Sequence, residues 1–507
     1  MSKLIILSTG LGSRCYPLTN HYCKSLLPIE SVVDSTKTTI PLLQHQLNLI
    51  IDGYFNISSV ILACNKKDQE KLESIVSSYD VPYTTEVFEL NEYNNSYTMK
   101  RLAQKYGLED SYVLEPDVAW SYHIYSKDAW TESSHIFTCY REHEWRLKSD
   151  YFSSNVYELE KDGTGYCMFG FSYIAKSDAW LVESSLEKDT QYEKYWDEHF
   201  ISSVPEIKVH ELNYLSVREF DTVDDYFESG YEIRNYDLLA SHISDNNECV
   251  RLGGLSNRNY LIRMNNELTI LQFITEYDNE NRWNNIQLYE SYNPDSIKYS
   301  QYGKYIRTCK YLSNTRLLKT KSDIHRVVKY LHSISTNPVF PKLGEYIFLN
   351  IIKSNLTEWE IDEDIIQYVL EEFQLAIKIT NPVFQICHAD LVPRNILIDK
   401  FTKRIQLIDY EYAGVYHDYW EIAGLLSEYV IEYYYHDSRA ISVLLKLIKD
   451  ISNKYSYDYD SLLLWSTLIN LYWSLWKSPQ YDRDSIDYLK YRLYLSQKLG
   501  EEYEKKE

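Results

Sequence analysis

Positive charge is scarce in this chain. Lysine and arginine number 52 against 74 aspartates and glutamates, giving a formal net charge of −22 and a pI near 5.1. A nucleic-acid binder needs clustered basic side chains to meet the phosphate backbone, so no nucleic-acid partner is expected. A negative field favours small cationic substrates, and it is equally what an ordinary solvated surface produces. The eight cysteines, at 15, 23, 64, 139, 167, 249, 309 and 387, include no C-x-x-C and no metal-ligand spacing. That pattern reads as reduced, structural thiols in a cytoplasmic protein. Long apolar runs are missing too. Residues 1–10 hold only a short one, far from a secretory h-region or a membrane span. The most apolar later stretch, 462–476, contains Ser, Thr and Asn and reads as a buried helix, so no membrane insertion is expected. What the chain does have is material for cores. At 507 residues and 44% hydrophobic, it is expected to form two or three domains. Its 50 tyrosines, with much Asn, Ile and Lys, read as a base-composition bias and carry no functional meaning.

Lys3 to Leu7 forms a continuous apolar run, as a buried parallel strand does, and leads into Gly10-Leu11-Gly12-Ser13-Arg14, then Pro17, Thr19, Lys24 and Leu26-Leu27-Pro28-Ile29. A strand feeding a glycine-rich loop lets backbone N–H groups approach a triphosphate without Cβ interference, so Gly10, Leu11, Gly12 and Ser13 are the candidate nucleotide cradle. Arg14 and Lys24 place charge where pyrophosphate would leave, as candidate catalytic groups. A plain glycine turn between strand and helix is the alternative. The loop is neither a Walker loop nor a dinucleotide fingerprint, because the G-K-[ST] and the third glycine are absent. Residues 59–64 and 111–117 read as two more buried strands, with helical patterns at 42–51 and 97–106. Strands alternating with helices imply a mostly parallel, Rossmann-like sheet with its site at the carboxyl edge. Asp117 ends its strand at that edge, where a Mg²⁺ ligand belongs, although a strand-end Asp is often a helix cap.

The pattern G-x-G-x-R-x-x-P-x-T-x-x-x-x-K-x-L-x-P-I resembles the nucleotidyltransferase signature of sugar-nucleotide and phosphocholine cytidylyltransferases. The resemblance implies a second carboxylate late in the domain. The segment 219–226, Glu-Phe-Asp-Thr-Val-Asp-Asp-Tyr, resembles the family's, so Asp221 is the expected second ligand for Mg²⁺. Segments 92–97, 140–145 and 195–197 resemble bacterial phosphocholine cytidylyltransferases. A quaternary ammonium is gripped by aromatic faces and a carboxylate. Trp145, Tyr195 and Trp196 would supply the faces and Asp197 the counter-charge. A sugar-phosphate acceptor, which would need hydroxyl-binding side chains, stays open.

Residues 231–247 are polar, acidic and without clear period, and the domain boundary is expected there. The stretch 387–399, Cys-His-Ala-Asp-Leu-Val-Pro-Arg-Asn-Ile-Leu-Ile-Asp, organises the second half, answered by Leu407-Ile408-Asp409-Tyr410-Glu411. An Asp, an Asn five residues on, and a second Asp after an apolar run suit phosphoryl transfer. One carboxylate takes the proton of an attacking hydroxyl, while the amide and the other carboxylate hold Mg²⁺ on ATP. The spacing resembles the catalytic and metal loops of kinase-fold phosphotransferases, and the wording His-Ala-Asp-Leu-Val-Pro with Ile-Asp-Tyr-Glu-Tyr-Ala-Gly is most similar to choline kinases. An α+β fold of the choline kinase / aminoglycoside phosphotransferase type is therefore implied. Asp390 would be the base, and Asn395 and Asp409 the metal ligands. Gly253, Gly254, Ser256 and Asn257 resemble the family's nucleotide-covering loop, with a hairpin turn at 264–267. Asp418 would brace the catalytic loop, and Trp473 and Trp476, three apart on one helical face, would contact choline. The sequence departs from the family at Gln272, where a basic residue should reach the phosphates, and at Asn285, where its acidic partner should stand. Losing both together is less damaging than losing one. Arg258 or Arg263 would then supply the cation, or the half would be slow or inactive.

The resemblance thus implies residues 1–235 as a CTP-using nucleotidyltransferase and 245–500 as an ATP-using kinase, with choline and phosphocholine as small-molecule substrates. Ethanolamine or a sugar phosphate remains an alternative substrate. A catalytically weak, ligand-binding second half is another. The oligomeric state is open.

Overall fold

The computed structural model describes all residues except 1, 11, 34–35, 52–54, 90–93, 121–131, 151–154, 213–216, 253–256, 275–278, 335–337, 340, 436, 477–482 and 506–507. Leu11, Gly253, Gly254 and Ser256 fall outside the described residues, as do the side chains of Trp145 and Asn257. By its internal contacts the chain forms two compact units. One is Met1–Leu252 with Tyr260–Phe273 and Gln301–Ile306; the other is Gly253–Asn259 with Ile274–Ser300 and Arg307–Glu507.

The first unit is built on a seven-stranded sheet in the order Lys208–Leu212, His135–Asp150, Asn155–Ile174, Ser111–Leu114, Ser2–Ser8, Ile57–Asn65 and Tyr83–Phe88. Ser2–Ser8 runs parallel to both of its neighbours. Leu4 and Ile6 pack into the core on one face while Ile5 and Leu7 enter the core on the other. Burial on both faces is why this strand reads as an unbroken apolar run rather than an alternating one. The helices Leu42–Ile51 and Asn95–Tyr106 form where their patterns place them. Two long antiparallel strands, His135–Asp150 and Asn155–Ile174, complete the sheet, so it is mostly but not wholly parallel.

The stretch 231–247 does not stay irregular. It contains the helix Tyr236–Ile243, whose Leu239, Ala240 and Ile243 are buried. Those three side chains occupy positions i, i+1 and i+4, which is enough for one apolar stripe in an otherwise polar segment.

Beyond it lies a five-stranded sheet in the order Cys249–Arg251, Asn257–Met264, Glu267–Ile274, Ile306–Lys310 and Tyr299–Tyr302. Asn265 and Asn266 both take positive φ, 54° and 63°, the geometry of a two-residue primed turn, so the hairpin forms at the expected place. The helices of the second unit, among them Lys321–Ser333, Glu363–Thr380, Asp418–Tyr434 and Tyr459–Ser474, share one continuous core. Two small antiparallel pairings carry the site loops of that unit: Phe384–Cys387 with Gly414–His417, and Ile396–Asp399 with Ile405–Leu407. The architecture is that of a mostly parallel α/β sheet followed by an α+β unit, as the resemblance implies. Among the described residues no helix is long and apolar enough to cross a membrane.

Candidate active sites

In the first unit, Ser2–Ser8 and Ser111–Leu114 are parallel neighbours, with Ile6 opposite Leu114, so both deliver their following loops to one edge. The glycine-rich loop therefore meets Asp117 there. Immediately after Asp117, Val118–Trp120 pairs antiparallel with Val217–Glu219, Glu219 opposite Val118. This pairing brings Glu219 and Asp221 to Asp117 from far along the chain. One oxygen from each of Asp117, Glu219 and Asp221 lies within 4.8 Å of the others, a set that fits a divalent cation. Lys24 Nζ donates to Asp221 Oδ1 at 2.8 Å and stands 3.5 Å from Asp117 Oδ2. Arg14 Nη2 donates to the same Asp221 oxygen at 2.9 Å. Burial pushes the Asp117 carboxyl up to about 6, Lys24 pulling it down and Glu219 and Asp221 adding to the rise. Burial also works against the Lys24 ammonium, yet Asp117 and Asp221 hold its pKa above the usual lysine range.

Gly12 holds this arrangement together. It sits at φ 64°, ψ 28°, a left-handed conformation, and its carbonyl accepts from Thr19 Oγ1 at 2.7 Å. A Cβ there would lie 3.0 Å from Thr19 Cγ2 and 3.1 Å from Lys24 Cγ. Gly12→Ala is expected to cost about 1–2 kcal/mol in thermal or denaturant unfolding from the left-handed backbone alone. By displacing Lys24 it should also lower nucleotidyl transfer at least tenfold.

Around Glu115 the structure departs from the expected aromatic box. Trp196 is fully buried and stacked on Phe200, with ring centroids 5.8 Å apart. Its indole Nε1 donates to Glu115 Oε1 at 2.9 Å, and Asn95 Nδ2 donates to the same oxygen at 2.6 Å. Trp196 is thus a core residue that orients a carboxylate rather than an open face for a cation. Its place at the first position of the helix Trp196–Ser203 turns the ring inward. Tyr195, the residue before it, is half exposed, and Asp197 accepts the Glu198 backbone N–H at 3.0 Å. Burial, reinforced by Asp197 and Asp117, pushes Glu115 up to about 8, and burial pushes Asp197 up to about 6.

In the second unit, Asp390 lies between Phe384–Cys387 and Ile396–Asp399. Asn395 Nδ2 donates to Asp390 Oδ2 at 2.9 Å and to its carbonyl at 3.1 Å, which locks the pair in one geometry. Burial and then Glu411 push the Asp390 carboxyl up to about 7, against an opposing pull from Arg492. Asp409 takes a left-handed φ of 67°. Burial, Glu411 and Asp390 raise it well above the usual carboxylate range, with Arg282 and Arg307 pulling the other way. Arg282 and Arg307 are thus cations, among the described residues, that act on this loop. Arg263 instead donates to the Asn266 carbonyl of its own hairpin. Arg282 Nη1 donates to Glu411 Oε2 at 3.2 Å, and Asn285 Nδ2 donates to the Glu411 carbonyl at 2.9 Å. Arg307 is buried, its guanidinium over the Trp283 ring at 5.6 Å. Gln272 is buried in its strand.

The brace of the catalytic loop is Glu421, not Asp418. Glu421 Oε1 accepts the Ala389 N–H at 2.6 Å, Ala389 itself standing at φ 65°. His388 Nε2 bonds the Ile408 carbonyl at 2.8 Å, tying the catalytic loop to the metal loop. Asp418 accepts the N–H of its neighbour Tyr419 at 3.0 Å, as the first residue of a helix does. Trp473 packs edge-on to Tyr412, centroids 5.7 Å apart, which sets it near the metal loop. The helix ends at Ser474, so Trp476 lies beyond it and the two tryptophans do not share a helical face.

Several groups in these sites carried a readable signal. Glu115 and Glu219 stand two residues before Asp117 and Asp221, an acid-x-Asp spacing that the two segments share. Arg307 had none, since only the sheet brings its strand to the metal loop.

Two clusters of carboxylates beside cationic side chains, one on a mostly parallel sheet and one in the second unit, suit transferase chemistry on phosphates. The nucleotidyl transferase family profile matches residues 3–115 and the choline/ethanolamine kinase profile residues 281–460. The chain is 27% identical over 237 residues to a choline-phosphate cytidylyltransferase of Streptococcus pneumoniae, covering 44% of this chain and 95% of the relative. It is 26% identical over 237 residues to the Haemophilus influenzae enzyme of the same name, covering 44% and 93%. Among solved structures it is similar to the S. pneumoniae CTP:phosphocholine cytidylyltransferase, with 25% identity, TM-score 0.39, and 45% of this chain and 97% of the other covered. An ethanolamine kinase of Plasmodium vivax gives 17% identity, TM-score 0.37, and 49% and 82% covered. The chain carries a nucleotidyltransferase domain similar to choline-phosphate cytidylyltransferase at its N-terminus and a choline kinase domain at its C-terminus.

Proposed function

We propose that this chain makes CDP-choline in two steps. The second unit phosphorylates choline with ATP, and the first couples phosphocholine to CTP with release of pyrophosphate. The observation that carries the substrate class is the acidic acceptor end of the first unit. Glu115 and Asp197 stand beside the metal-type trio, with neutral donors, Trp196 and Asn95, holding Glu115. Such a place suits a cationic head group and opposes an anionic one.

Mg²⁺ held by Asp117, Glu219 and Asp221, and a second by Asn395 and Asp409, would neutralise triphosphate charge. In the first unit Gly10, Gly12 and Ser13 let the backbone approach the triphosphate, and Lys24 and Arg14 meet the departing pyrophosphate. No protein nucleophile is needed, because the phosphocholine oxygen attacks the α-phosphorus. In the kinase, Asp390 accepts the hydroxyl proton of choline while Arg282 and Arg307 hold charge at the metal loop. Trp473 is offered as a wall for the ammonium, with Trp476 close by in sequence.

Nucleotide consumption by the full chain tests the reading, with choline, ethanolamine, phosphocholine and sugar phosphates as acceptors. CTP turnover with phosphocholine and ATP turnover with choline are expected. Turnover with neither removes the proposal, and preference for ethanolamine or a sugar phosphate replaces the substrate. The ionised form of Glu115 and Asp197 is the one that holds a cation, and both carboxyls are raised. KM for phosphocholine should therefore fall as pH rises through about 6 to 8, and Asp197→Asn should flatten the lower part of that profile.

A further inference from the structure

Behind the catalytic loop of the second unit lies a recess of about 200 Å³. Its floor is Tyr289, Cys387, His388 and Glu421, and its walls include Asp418 and Tyr457. None of Asp390, Asn395, Asp409, Trp473 or Trp476 lines it. At about 30 Å³ for each water-sized group, it has room for roughly half a dozen heavy atoms.

Its chemistry is mixed in a particular way. Asp418 and Glu421 stand one turn apart on the helix Asp418–Tyr434 and both reach the recess. Each accepts backbone N–H groups, and among the described residues neither is paired with a lysine or arginine. Carboxylates held away from water are costly in their charged form; His332 offsets part of that at Asp418, and a cation entering the recess offsets more. The opposite wall is aromatic: His332 stacks on Tyr457, centroids 5.3 Å apart at 22°, and Tyr289 closes the floor. Val383, Ile386 and Ile422 add apolar surface. A compact metal ion needs three or more converging ligand atoms. Among the described residues the only such set of His, Cys, Asp and Glu is the Asp117 trio. Carboxylates on one side with aromatic and aliphatic surface on the other match a cation whose charge is spread over carbon.

We propose that this recess is a second binding site, for a small organic ammonium, separate from the Asp390 acceptor site. An occupant stands one carboxylate from the catalytic loop, because Glu421 holds the Ala389 N–H. The site therefore reports on kinase geometry without touching the reacting atoms.

Calorimetric titration of the full chain with tetramethylammonium chloride tests this, with sodium chloride matching the ionic strength. The probe has no hydroxyl to be phosphorylated. The titration is run on the Trp473→Ala background, to thin the acceptor site. A saturable component is expected that Asp418→Asn weakens at least tenfold. Val383→Trp, which fills the mouth from a position 56% exposed, should abolish it. Thermal unfolding confirms that each variant is folded, and if Asp418→Asn is not, Val383→Trp decides alone. The first-unit acceptor site keeps its own component, so the absence of any component that Val383→Trp removes overturns the proposal.

Discussion

Asp390→Asn in the full chain is expected to reduce ATP-dependent phosphorylation about 10²–10⁴-fold, the span a positioned general base contributes. CTP consumption by the same protein should be unchanged. The magnitude follows from how the carboxylate is prepared. Asn395 fixes Oδ2 at 2.9 Å, so the proton acceptor is already aimed. Burial and Glu411 have moved its pKa up to about 7, close to where a base is half available and still strong enough to work. The carboxylate is the working form, so the rate should rise with pH through about 7 and the variant should lose that limb. Stability separates lost chemistry from lost fold. The folded pKa lies above the ordinary aspartate value, so the native state holds the extra proton. Asp390 therefore erodes stability as pH climbs from about 4 to about 7. The Asn variant should match the parent at low pH and be the more heat-resistant protein at pH 8. Phosphorylation that persists in the variant removes Asp390 as the base.

Why the surroundings of Asp390 were legible in the sequence, while those of Arg307 were not, is a matter of range. The catalytic loop is a local object. Asp390 and Asn395 share one short loop, and Asp409 follows an apolar strand, so a single stretch of chain fixes their spacing. The parallel core was legible for a related reason, since burial on both faces leaves a mark on every residue of Ser2–Ser8. What failed to show depended on packing between distant segments. Trp196 and Tyr195 are adjacent and both aromatic, yet one is sealed against Phe200 and the other is half exposed. The helix phase decides that, and a two-residue window does not contain it. Asp418 and Glu421 present the same ambiguity one turn apart. Both are acids at the start of a helix, but only the later one reaches Ala389. Arg282 and Arg307 come from a helix and from a strand on either side of the five-stranded sheet's return. Their effect on Asp409 exists only once the sheet and the metal loop are assembled.

Lys24→Met should lower CTP-dependent transfer about 10²–10³-fold, or about 2.7–4 kcal/mol of transition-state stabilisation, and leave ATP-dependent phosphorylation as it was. The ammonium is nearly enclosed, with 13% of its side chain exposed, and faces Asp221 at 2.8 Å and Asp117 at 3.5 Å. Arg14 meets the same Asp221 oxygen from a side chain 61% exposed, where water screens the charge. Arg14→Ala should accordingly cost much less than Lys24→Met, though both remove one positive charge. Magnesium titration tells the two roles of Lys24 apart. As a counter-ion it competes with the metal for Asp117 and Asp221, so its loss should tighten Mg²⁺ while the turnover number falls. If Lys24 served only to hold the loop, its loss would scatter the carboxylates and weaken Mg²⁺ along with turnover. Opposite movements of metal affinity and rate therefore mark a charge that acts on the departing pyrophosphate, and parallel movements mark a structural pin.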